Sequence, residues 1–65
     1  MTEFCKLVRE AIADEEKGAQ DYQRIIDLAD HADIQHKRAL KDIQGDEVAH
    51  KYILKTIYHD VCERR

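Results

Sequence analysis

Two long apolar runs, each spaced alternately three and four residues apart, leave this chain few folds to choose from. Val8, Ile12, Glu15, Ala19, Tyr22, Ile26 and Ala29 form the first, and Leu40, Ile43, Glu47, His50, Leu54, Ile57 and Val61 the second. That is the period of one helix face, and Phe4, Leu7, Ala11, Ile25 and Leu28 widen the first face. Proline is absent, and no stretch alternates as a half-buried strand does. The expected fold is all-α: one small domain over residues 1–65, with helix 1 over about 3–29 and helix 2 over about 34–62.

Thr2 can cap helix 1, with Cys5 at its third position and Glu3 at the positive end of the helix dipole. The break falls in Ala29-Asp30-His31-Ala32-Asp33, where Asp30 or Asp33 can cap helix 2. A connection this short forces an antiparallel hairpin. Turned near His31, the hairpin sets Glu15 and Glu47 level, sixteen residues to either side, with His50 less than one helical turn away.

A chain of 65 residues rarely draws more than ~3–5 kcal/mol from its own core, and a lone hairpin cannot cover two apolar seams. Pairing of two copies into a four-helix bundle is the expected solution, which makes a second copy the expected partner. Cys5 and Cys62 lie near the two ends of the chain. They are expected as reduced, half-buried packing residues, a bridge between the hairpin ends being the alternative. A net charge of -3 with interspersed signs offers no basic stripe for phosphates, so no nucleic-acid partner is expected. Neither a leader-like start nor an apolar run of membrane length is present, so the expected setting is cytoplasmic, without a membrane partner.

Three ionisable residues interrupt the seams. Glu15, Glu47 and His50 stand where the pattern calls for Leu or Ile. Glu47 and His50, three apart on one helix, can reach the same ion. Asp14 and Glu16 lie about 100° to either side of Glu15, which makes Glu15 the best-placed acid of helix 1. In a twofold dimer these residues supply four carboxylates and two imidazoles, a donor set suited to two divalent cations whose four positive charges it balances. Gly18 and Gly45 flank the site at about 1 kcal/mol each relative to Ala, marking either close approach of another helix or ordinary tolerated glycines. Asp30, His31, Asp33 and His36 read as a solvated helix start, with an accessory metal site as the sharper alternative. His59, Lys37, Arg38, Lys41 and Asp42 read as solvated faces.

The runs Glu15-Glu16-Lys17-Gly18-Ala19-Gln20-Asp21-Tyr22 and Ile43-Gln44-Gly45-Asp46-Glu47-Val48-Ala49-His50 resemble one half of a ferritin-like di-iron protein of the rubrerythrin type. The resemblance covers about Ala11 to Leu54. It implies Glu15 as a terminal carboxylate, Glu47 as a metal-bridging carboxylate, His50 as an imidazole ligand and Tyr22 as a tyrosine beside the cluster. A rubrerythrin carries four helices in one chain, whereas this chain has two. The remaining ligands would come from another copy, as in the encapsulated ferritins. The resemblance further implies two Fe ions per dimer, with Mn or a Mn/Fe pair fitting the same ligands. The implied reaction is ferroxidase-like oxidation of Fe(II) by dioxygen or peroxide, in iron handling or protection from oxidative stress. The rival expectation is a helical dimerisation module, free of metal or structurally metallated, in which the buried Glu and His fix register.

Overall fold

The structure, a computed structural model, describes residues 2–31 and 36–63. Helix α1 spans Glu3–His31 and α2 spans Lys37–Tyr58, and a π-helical turn, His59–Glu63, completes the second arm. Thr2 caps α1 as its sequence position suggests. Its Oγ1 accepts the Cys5 backbone N–H at 3.1 Å and its carbonyl accepts that of Lys6 at 3.0 Å. The two helices pack side by side and antiparallel, the hairpin expected from the sequence.

The turn is tied differently from the expectation. Asp30 lies within α1, and its carboxylate takes the Lys37 Nζ at 2.6 Å, which joins the end of one helix to the start of the next. Asp33, the other candidate cap, lies outside the described residues. His36 instead precedes α2, with a left-handed backbone (φ 75°) and no side-chain capping hydrogen bond. Because α1 runs on to His31 and α2 begins only at Lys37, the hairpin is centred near residue 33 rather than at His31. Cross-helix pairs Glu15–His50, Gly18–Glu47, Glu16–Lys51 and Cys5–Cys62 all follow this register. Glu15 therefore stands level with His50, and Glu47 lies one turn along beside Gly18.

The α1 seam is the expected one: Val8, Ile26 and Ala29 are buried, and Ile12, Glu15, Ala19 and Tyr22 are half-buried. On α2 the packed stripe is rotated. Leu40, Gln44, Glu47, Lys51, Leu54, Tyr58 and Cys62 face α1, whereas Ile43, His50, Ile57 and Val61 are exposed on the flank. The stripes share Leu40, Glu47 and Leu54, so the heptad pattern fitted both. Gln44 Nε2 donates to the Ala19 carbonyl at 3.1 Å and to Gln23 Oε1 at 2.9 Å, which fixes the rotation.

Cys5 and Cys62 are joined by a disulfide, their Cα atoms 5.9 Å apart, so the bridged alternative replaces the expected free thiols. Both arms end where those thiols meet, and Cys5 and Val8 beside the bridge account for half of the four residues buried outright among those described. Closing a loop of 57 residues lowers the entropy of the unfolded chain enough to stabilise the fold by about 4 kcal/mol. Cys62→Ser should thus lose about 3–4 kcal/mol in denaturant unfolding followed by circular dichroism. An unchanged transition would show that the bridge adds nothing.

Candidate metal centre

Glu15 projects from the middle of α1, its side chain 26% exposed, and its Oε1 lies 3.6 Å from His50 Nδ1 on α2. The separation is that of a charge contact rather than a good hydrogen bond. Its neighbour Glu16 turns the other way. Glu16 Oε1 lies 3.9 Å from Lys51 Nζ, whose side chain is only 18% exposed, with its aliphatic stem along the seam. The two acids thus part: Glu15 faces the imidazole, and Glu16 faces a lysine on the opposite flank.

Glu47 reaches helix α1 at Gly18, three residues beyond Glu15. A Cβ at Gly18 would overlap the Glu47 carboxylate, coming within 2.8 Å of Cδ. What a Cβ would meet there is the end of the Glu47 side chain and not the backbone of the other helix: the bare Gly18 makes a cradle in which the carboxylate rests. Gly45 has nothing within 4 Å of such a Cβ and is an ordinary tolerated glycine in the hairpin. Tyr22 is half-buried in the α1 seam, about 10 Å along the axis from Glu15.

Glu15, Glu47 and His50 thus gather at mid-length of the rod, within one turn of each other. Among the described residues, no three side chains of His, Cys, Asp or Glu converge on a single point in one chain. What one chain presents is a carboxylate–imidazole pair with a second carboxylate beside it, oxygen and nitrogen donors of the kind that hold iron, manganese or zinc. Of the suggested accessory group near the turn, Asp33 and the side chain of His31 lie outside the described residues.

Lys51, Gln44 and the pairing of Gly18 with Glu47 were not anticipated from the sequence. A signal for the first two exists: Gln44, Lys51 and Tyr58 recur every seven residues beside the chosen seam, and long polar side chains can pack there by their stems.

No family profile, no curated protein and no solved structure matches this chain.

Gly18→Ala separates the local roles. Alanine favours the helix by about 1 kcal/mol, and the Glu47 carboxylate, the end of a flexible side chain, can swing out of its way. The variant should melt no lower than the parent while the carboxyl 13C resonance of Glu47 moves in NMR spectra. A large loss of stability, or an unmoved resonance, would contradict the cradle.

Proposed function

We propose that two copies of this hairpin pair through their exposed apolar faces and bind two ferrous ions between them, for oxidation by dioxygen or peroxide. The observation that carries this reading is the position of Glu15 and His50 at the edge of the uncovered side of the hairpin, with the Glu47 carboxylate beside them at Gly18. Phe4, Leu7, Ile25 and Leu28 on α1, and Ile43, Ile53, Ile57 and Val61 on α2, are large apolar residues 37–65% exposed. Successive residues turn about 100°, and with the helices antiparallel both stripes fall on the flank where His50 meets Glu15. His50 therefore lies within an apolar face, with Glu15 and Glu47 at its border with the helix contact. Such faces on soluble proteins mark interaction surfaces.

Shape supports a second copy as the cover. The rod measures 50 × 14 × 12 Å, and its radius of gyration of 15.0 Å exceeds the ~11 Å of a compact domain this long. Its accessible surface of 5346 Å² exceeds by about 1,000 Å² that of a compact monomer of its mass. A standard protein interface covers about 800 Å² per partner. An ionisable trio enclosed by such an interface would be costly without cations, because clustered carboxylates lose hydration there.

The residues divide the work. Glu15 and Glu47 from each copy hold the ferrous ions and balance their charge. With His50 Nδ1 directed at Glu15, Nε2 is the nitrogen open to an ion. The apolar side chains around them keep bulk water from the site, and Tyr22 borders it along the α1 seam. Fe(II) is the substrate: two Fe(II), one hydrogen peroxide and two protons give two Fe(III) and two waters. The ligand pattern supports a place beside the rubrerythrin-type di-iron proteins, with manganese as an alternative ion. The bridge favours an oxidising compartment over the cytoplasm, because disulfides persist in the former. Among the described residues no helix is long and apolar enough to cross a membrane.

The contact between Glu15 and His50 in the free hairpin favours a second reading, a metal-free dimerisation module in which that pair fixes register. Iron oxidation discriminates. The oxidised chain should consume oxygen with Fe(II) well above the buffer rate, and Glu47→Gln and His50→Ala should each fall at least about tenfold while remaining helical and dimeric. Parent protein no faster than buffer, with variants that change only assembly, would establish the module instead.

A further inference from the structure

On the flank away from the trio, the two arms leave a groove of about 430 Å³ near the disulfide, lined by Arg9 and Ile12 of α1, Lys55 and Tyr58 of α2, and His59 and Glu63 of the π-helical turn. Its size is that of a small-molecule site. Ile12 and Tyr58 are half-buried and make an apolar floor, while Arg9, Lys55 and His59 are exposed. Three basic side chains from three segments thus border one apolar floor, in a chain whose net charge is negative. The single carboxylate, Glu63, has its Oε2 3.5 Å from His59 Nδ1 and is directed at that ring. Arg9 and Lys55 are the permanent cations that line the groove, the Lys55 ammonium lying 5.9 Å from the centre of the Tyr52 ring. π-Helical turns are rare and recur at functional sites, and this one supplies two of the lining residues.

We infer that this groove binds a small organic anion, its apolar body against Ile12 and Tyr58 and its anionic group, phosphate or carboxylate, held by Arg9 and Lys55. The site is separate from the proposed metal centre. Arg9 lies about 120° around α1 from Glu15, and Lys55 about 140° around α2 from His50, so a second copy covering the apolar face leaves the groove open.

The test is an amide NMR titration of the oxidised full chain with phenyl phosphate, inorganic phosphate and benzyl alcohol. Phenyl phosphate should give saturable shifts at Arg9, Ile12, Lys55, Tyr58, His59 and Glu63. Inorganic phosphate should bind more weakly, and benzyl alcohol should leave those amides in place. Because Arg9 and Lys55 are exposed, the Arg9→Gln/Lys55→Gln variant should keep the parent's helicity and melting temperature while losing at least about tenfold in affinity for phenyl phosphate. Absence of saturable shifts at these six residues, or equal affinity in the folded double variant, would overturn the inference.

Discussion

Two helices lying side by side share one line of contact, and every other feature of this chain answers to that shortage. Among the described residues only Cys5, Val8, Ile26 and Ala29 are buried outright, two near the chain ends and two near the turn. The bridge between Cys5 and Cys62 closes the first pair, and the ion pair of Asp30 with Lys37 joins the helices at the second. Between them lies the middle of the rod, where apolar packing is thinnest and where Glu15, Glu47 and His50 are found. The disulfide matters more here than in a larger domain, since its contribution of about 4 kcal/mol rivals what a core this size supplies.

That thin middle is consistent with a site left half-built. A fold selected for stability alone would place Leu or Ile at the half-buried positions of Glu15 and Glu47. Instead Gly18 gives up about 1 kcal/mol of helix propensity where the Glu47 carboxylate comes to rest, and His50 stays exposed beside Glu15. These departures fall on one face, among Ile43, Ile57 and Val61, whose exposure is otherwise unexplained in a free hairpin. A second copy and bound cations would account for both the misplaced charges and the uncovered apolar residues.

The helices were legible because a period of three and four is long and unbroken in each arm, and Thr2 announced the start of α1. Rotation of α2 was not, because Leu40, Glu47 and Leu54 belong equally to a stripe with Ile43, His50 and Ile57 and to one with Gln44, Lys51 and Tyr58. Hydrophobicity favours the former, but only the stems of Gln44 and Lys51, with their polar ends bonded to or facing α1, select the latter for the hairpin contact. Register slipped for a related reason: propensity does not tell how far α1 persists past Ala29, and two residues at its end move every pairing by most of a turn. The bridge is a matter of spatial distance, and two cysteines 57 residues apart could be paired only once the hairpin was closed in the right register.

The central claim is that half-sites on two copies share cations, and stoichiometry tests it most directly. Native mass spectrometry of the oxidised chain after anaerobic Fe(II) loading should find a dimer carrying two iron atoms, with no iron on any residual monomer. A dimer that takes up no iron, or a monomer that binds it as well, would contradict the account.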